Sequence, residues 1–390
     1  MSRPWDLYLT PTITLSLVLE AESPTPSLTR WLAQWAVWLR PLLLKSALQY
    51  ELDVRGGALA HNSATGEGDG VVSASTLRVV DSSVFRVIEG KASKPYSAAE
   101  LDSLAMSVAN AEGIDVPSLE HDLLVLSLER VLYSYLMVHK AEQLAGTPYP
   151  PSGDPRSGEA ESLLRELWHT LRPERELPAM VGKHWQELGF QNTSPSTDFR
   201  GVGLLGLHCL LLFARTYGER AAEIVDESVG AGERWYPLAL ASLHMTAFVL
   251  DLARSRDLQL FLLRSLQTPS LASSSPPSAR SPDLASDAIP LSSTAPLLDL
   301  SYSDAAPADR QPSNSHAGSP TIDLEPLLSL SSDLLLLFHA HWRQGTFTVM
   351  DFETTSRAFQ AALRPWIRRG VLDGRALGWE KWDEGGVKLD

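Results

Sequence analysis

The chain is short of cysteine: there is one, Cys209, in 390 residues. A single thiol excludes an intramolecular disulfide and any multi-cysteine metal site. Cys209 sits in an apolar helical run, which suits a buried, inert thiol better than a nucleophile. Basic residues are also in deficit. Lys and Arg number 33 against 47 Asp and Glu, leaving a formal net charge of -14. That balance excludes a general nucleic-acid binder, which needs a basic surface for phosphate contacts. It also disfavours unaided attachment to anionic lipid. Long apolar runs are missing too: Leu204 to Phe213 is too short to cross a bilayer. Met1 to Thr10 has neither the basic start nor the unbroken apolar run of a signal peptide. The expectation is a cytoplasmic protein without a transmembrane segment.

Motifs for self-contained catalysis are lacking as well. Gly182-Lys183 and Gly90-Lys91 have no upstream glycine at the spacing of a phosphate loop. The G-x-S-x-G elbow of hydrolases is absent. His339 and His341 are two apart on an expected helix, so they do not share a face, and no third metal ligand accompanies them. The chain is expected to bind no metal and no cofactor of its own, and to have no active site of its own.

What remains reads as helix, and the expected fold class is all-α. Ser97 with Glu100 forms a capping-box pattern ahead of Leu101, Leu104, Ala105 and Val108, and Gly113 ends the run. Pro117-Ser118 opens a helix with Leu124, Leu128, Val131, Tyr135 and Val138 at apolar positions. Leu163, Leu164, Leu167, Trp168 and Leu171 recur at helical spacing before Pro173 stops them. Pro237 suits the first position of a helix carrying Leu240, Leu243, Ala247 and Leu250. Leu327 to Arg343 and Phe352 to Leu363 are further helices. Only Ile13 to Val18 alternates as a strand would.

Residues 268–320 are rich in Ser, Pro, Ala and Asp, with Tyr302 as their one aromatic. Such a segment buries too little apolar area to offset its ordering entropy, so a disordered insertion is expected there. Ser275, Ser281 and Ser319 each precede proline and are candidate phosphate acceptors; a passive loop is the other reading. Residues 56–70 read as a shorter flexible loop. Near the start, Trp31, Trp35, Trp38 and Leu42 recur at helical spacing. The stripe suits a core more than a membrane interface, and Arg40-Pro41 would interrupt its helix.

One stretch poses a question. Arg200 stands just after Asp198 and just before Gly201, Gly203 and Gly206, where a leucine-rich helix begins. A cation in a helix's first turn opposes the macrodipole, at a cost on the order of 0.3–1 kcal/mol. Thr197 or Asp198 can cap that helix, and Gly189 can end the one before it. Three glycines in a leucine run point to a close backbone approach or to something docking at this end. Either Arg200 pairs with Asp198 or another acid and locks the corner, or it projects from a stiff bend for use elsewhere.

The run HWQELGFQNTSPSTDFRGVGLLGLHCLLLFA resembles the signature of the ELMO-domain family. That signature is a tryptophan, Gly-Phe-Gln, a proline, Thr-Asp-Phe-Arg-Gly and then a glycine-leucine-rich helix. The matching residues are Trp185, Gly189, Phe190, Gln191, Pro195, Thr197, Asp198, Phe199, Arg200, Gly201 and Gly203. LLRELWHTLRP, WYPLALASLHMTAFVLDL and LLLLFHAHWRQGTFTVMDF are similar to flanking family helices. The resemblance implies an N-terminal helical region over 1–152, an ELMO domain over 153–372 interrupted by 268–320, and a tail over 373–390. Short, ELMOD-type members act as GTPase-activating proteins for Arf-family small GTPases. Long members are scaffolds that pair with DOCK exchange factors in Rac signalling and generally lack the arginine. Chain length and Arg200 favour the ELMOD branch; a non-catalytic scaffold is the alternative. Under the first reading Arg200 is an arginine finger, held in position by Asp198, Phe199 and Gly201. Trp185 and Phe190 anchor the base of the site. Phe199 serves as core or as contact surface, and Gln191 either contributes to the site or ties the turn. GTP and Mg²⁺ belong to the partner GTPase, which would also recruit the chain to internal membranes.

Overall fold

The computed structural model describes residues 38–52, 72–88, 94, 96–115, 118–150, 154–155, 157–230, 232–266, 322–372 and 377. The strand expected at 13–18, the insertion at 268–320, the loop at 56–70, the Gly90-Lys91 pair, Trp31, Trp35 and nearly all of the tail at 373–390 lie outside them. The described residues form helices and turns with no strand among them. In chain order the helices are α1 (38–52), α2 (Ala74–Ile88), α3 (Ala98–Glu112), α4 (Ser118–Gly146) and α5 (Ser157–Leu171). They continue with α6 (Gly203–Val229), α7 (Leu238–Arg254), α8 (Gln259–Ser265), α9 (Glu325–Gln344) and α10 (Phe352–Ile367).

Local chemistry sets several of these limits. The Ser97 hydroxyl accepts from the Glu100 amide while the Glu100 carboxylate accepts from the Ser97 amide, completing the capping box of α3. Gly113 ends α3 in the left-handed region, at φ 66. Pro237 is the residue before α7 rather than its first position. The last helix continues about one turn past its expected end at Leu363, to Ile367 through Pro365, because buried Leu363 and Ile367 anchor it on both sides of the proline. Within α6 the backbone breaks at Gly218.

Two apolar cores share these helices. One gathers Leu44 and Leu48 of α1, Leu77 and Val80 of α2, Leu101 and Val108 of α3 and the first half of α4. The larger core is built by α5, α6, α7, α9 and α10 around Trp168, Phe213, Tyr236, Phe338 and Trp342. Helix α4 belongs to both: Leu124 and Leu128 face the first, Met137, Ala141 and Leu144 the second. At 29 residues it is roughly 43 Å long. Polar groups lock the junction. Buried Arg130 donates to the carbonyls of Val72, Leu263 and Leu266. Arg256, at φ 62, pairs with Asp81 at 2.5 Å, donates to the Tyr135 hydroxyl and covers the Phe85 ring at 3.8 Å. A non-glycine residue in that backbone region is strained, and these contacts offset the cost.

The aromatic stripe near the start is a correction. Trp38 is 65% exposed and Leu42 54% exposed, because Leu44, Leu48 and Glu51 occupy the inward face of α1. Pro41 lies inside the helix instead of interrupting it. Among the described residues no single helix is long and apolar enough to cross a membrane. Two sharply bent pairs, Pro195–Gly201 with α6 and α7 with α8, reach that length and composition together, but α6 and α7 spend their apolar residues on the core.

Candidate functional site

The stretch between α5 and α6 is irregular, and its shape comes from side chains reaching back along the chain. A 3₁₀ turn over Lys183–Leu188 ends at Gly189, whose φ is 83. A second 3₁₀ turn covers Pro195–Gly201. Beneath them runs a row of buried rings. Trp168 meets Trp185 edge-on at 5.6 Å between centroids, Trp185 meets Phe190 at 5.8 Å, and Phe190 meets Phe199 at 5.9 Å. Tyr149 stacks on Phe199 at 6.2 Å. The Trp185 indole donates to the Met180 carbonyl at 3.1 Å, so its one polar group is satisfied on burial. Phe199 is thus core, and Trp185 and Phe190 floor the corner.

Above the rings, Asp198 is the clasp. Its carboxylate accepts from the Gln191 backbone amide and from the Asn192 side-chain amide, each at 2.7 Å. Hydrogen bonds to a charged acceptor are the stronger kind. The Gln186 side chain donates to the Gln191 carbonyl at 3.1 Å, so it is the backbone of Gln191 that ties the turn. The Thr197 hydroxyl donates to the Ser194 carbonyl at 2.8 Å.

Two expectations are corrected here. Neither Thr197 nor Asp198 caps α6: the residue before that helix is Val202, without a side-chain cap. Arg200 is not in the first turn of α6 but in the last turn of the preceding 3₁₀ segment, where a cation complements exposed carbonyls. The electrostatic puzzle disappears with the reassigned boundary. An early amide of α6, that of Leu204, instead donates to the Thr147 carbonyl just past α4, at 3.0 Å.

The signature glycines divide by task. A Cβ at Gly189 would strike the backbone of Pro237, Leu238 and Ala239 at the start of α7. One at Gly203, at φ 52, would strike the carbonyls of Leu144, Ala145 and Thr147 at the end of α4. Gly206 has room only for hydrogen beneath Val202, Leu243 and Phe199. At Gly201 a Cβ would meet nothing within 4 Å. Pro195 is buried at the head of its turn.

Arg200 is exposed. Its Nε donates to the Thr197 carbonyl at 2.8 Å. Among the described residues no carboxylate pairs with it and nothing engages its two terminal nitrogens; Asp198 is committed to Gln191 and Asn192. The result is a guanidinium steered through one nitrogen and open at its outer edge. Tyr149, Thr147 and Asn192 also build the corner, and the sequence carries no local signal for them, since each acts across a turn.

Other candidate chemistry is internal. His339 lies between the Tyr236 hydroxyl at 2.8 Å and Glu227 at 2.9 Å, while His341 packs against Phe347 and Phe359. No group of three His, Cys, Asp or Glu able to hold a metal occurs among the described residues. Cys209 is buried, and that burial pushes its thiol up to about 11.

Residues 142–356 match the ELMO/CED-12 family. ELMO domain-containing protein 2 of Mus musculus is 30% identical over 233 residues, covering 58% of this chain and 72% of that protein. Its Bos taurus counterpart shows the same identity and coverage. ELMO domain-containing protein B of Dictyostelium discoideum is 30% identical over 170 residues, 42% of this chain and 58% of its own length. No solved structure is a significant match.

Proposed function

Because the chain belongs to the ELMO/CED-12 family, we propose that it is a GTPase-activating protein for an Arf-type small GTPase, to which it lends Arg200. The observation that carries the reading is the exposed guanidinium held through Nε alone on a braced corner. During GTP hydrolysis negative charge builds on phosphate oxygens, and a cation inserted from outside stabilises that charge. A planar, permanently charged guanidinium with two uncommitted nitrogens suits the task. Fixing it beforehand spares the reaction the entropy of finding it.

In this reading the GTPase brings the nucleotide, the Mg²⁺ and the group that orients water. The chain is an activator and needs no cofactor. Asp198 holds the turn, Phe199 roots it in the core and Thr197 aims the arginine. In this reading the ELMO domain spans 153–372 and is seated on the end of α4, and the protein works in the cytoplasm, at membranes where its partner resides.

Single-turnover GTP hydrolysis by Arf-type GTPases, with the parent protein and with Arg200→Ala, tests this. The parent is expected to accelerate hydrolysis, and the variant to lose roughly 10³-fold or more of that acceleration. Arg200→Lys should also fail, since an ammonium lacks the planar fork. Equal stimulation by parent and Arg200→Ala would leave the non-catalytic scaffold as the better reading.

A further inference from the structure

Helix α1 turns one face into the first core and leaves another outside. Leu44, Ala47, Leu48 and Glu51 are buried, whereas Trp38, Leu42, Lys45 and Gln49 are exposed. Each set recurs at three and four residues, so each forms a single stripe along the helix. Trp38 is 65% exposed, Leu42 54% and Leu39, beside Trp38, 36%. Isolated apolar residues are ordinary on a surface, but these three lie within little more than one turn of one helix and form one patch. Trp31 and Trp35 continue the same spacing in the sequence, ahead of the described residues.

The charge around this patch is of one sign. Arg40 and Lys45 of α1 and Arg78 and Arg86 of α2 are exposed or half-buried. The carboxylates of these two helices, Glu51 and Asp81, are buried and engaged: Glu51 accepts from the Ser73 amide and Asp81 from the Tyr135 hydroxyl, each at 2.8 Å. Arg40 lies close enough to Arg86 to feel its charge. Burial first, and that neighbour second, hold the Arg40 guanidinium below its ordinary value, while Glu112, the buried partner of Arg86, pulls the other way. In the sequence no acidic residue stands between Glu22 and Glu51, where Arg30, Arg40 and Lys45 occur. The chain as a whole carries -14, which opposes contact with anionic lipid. Yet charges beyond about 8 Å are largely screened at physiological ionic strength, so the local sign governs what the patch meets.

Tryptophan and leucine beside lysine and arginine on one exposed helix face fit the boundary of an anionic bilayer. The apolar groups enter the acyl edge, and the long cationic side chains reach the phosphates. A second copy of the chain fits less well, because a two-fold contact would set Arg40 and Lys45 against their own images.

We propose that the outer face of α1 is a membrane-contact site for anionic phospholipid, anchored by Trp38, Leu39 and Leu42 and steered by Arg40 and Lys45. The site stands independently of the activator reading and acts without a GTPase.

The full-length protein is floated with vesicles of phosphatidylcholine, alone or mixed with phosphatidylserine, with no GTPase present. The parent should float with the mixed vesicles, and raised salt should release it. Trp38→Ala combined with Leu42→Ala should lower the partition coefficient about ten-fold or more. Lys45→Gln should lower it about five-fold, and Trp38→Phe should keep most of the binding. Met350→Gln, which removes an exposed apolar residue from another element, should float as the parent does. Circular dichroism melts check that each variant is folded. A parent that stays behind, or a folded double variant that floats equally well, would overturn the assignment. A parent that ignores vesicles but forms a dimer abolished by the double variant would give the face to a second copy instead.

Discussion

Gly201 and Gly203 stand two residues apart and answer to opposite constraints. Gly203 is at φ 52 with three carbonyls of the α4 terminus where a side chain would go. Alanine there meets both backbone strain and overpacking, each worth about 1–3 kcal/mol. Gly201 has an ordinary φ and open space around it. Alanine at that position reduces the entropy lost on folding and should add about 0.5–1 kcal/mol. Thermal melts of Gly203→Ala and Gly201→Ala should thus move in opposite directions from the parent. A common direction would mean that the corner is seated differently from the geometry described.

Helix α3 offers the cleanest check of how the elements are delimited. Its capping box is solvent-exposed and packs nothing, so Ser97→Ala removes a cap and little else. The expected loss is about 1 kcal/mol, read from urea unfolding with an unchanged m-value. This cap was legible from residues 97 and 100 alone, as were most helices, because apolar spacing near 3.6 survives any tertiary arrangement. The corner was not legible in that way. Asp198 reaches back seven residues to the Gln191 amide, and Leu204 reaches across to Thr147. Contacts of that kind leave no periodic trace, so spacing alone starts α6 several residues early and sets Arg200 at the wrong end of a turn. The inward face of α1 escapes the sequence for a different reason. That helix carries apolar residues on both sides, Trp38 and Leu42 opposite Leu44 and Leu48, and composition cannot choose between them. Likeness to a family motif marks the signature residues, whereas the bonds that hold them exist only in the folded chain.

Taken whole, the molecule buries His208 and His339 and half-buries His244 and His341, which disfavours their charged forms. Burial, with a smaller push from Arg215, lowers His208 to about 4 from an ordinary 6.5. His244, His339 and His341 are lowered as well, each chiefly by burial. A base whose folded value is depressed binds its proton more readily when unfolded, so stability is complete above 6.5 and drains away as pH falls toward 4. His208 alone can withdraw up to about 3 kcal/mol across that window. Melting temperatures measured from pH 7.5 to 4 should stay level above 6.5 and then decline, and His208→Gln should blunt the decline. A parent and variant that fall in parallel would remove His208 from the account.

Helix α4 has a practical consequence. The family match begins at residue 142, within the final turn of a helix that ends at Gly146. Trimming a clone to that homology boundary would saw through the beam on which the arginine's ledge rests, leaving a five-residue stub to present the Leu144 and Ala145 oxygens that seat Gly203. A piece of this protein that keeps the corner seated is therefore longer than its recognisable motif: it takes in the beam from Ser118 onward together with α1, α2 and α3, which share that beam's first core.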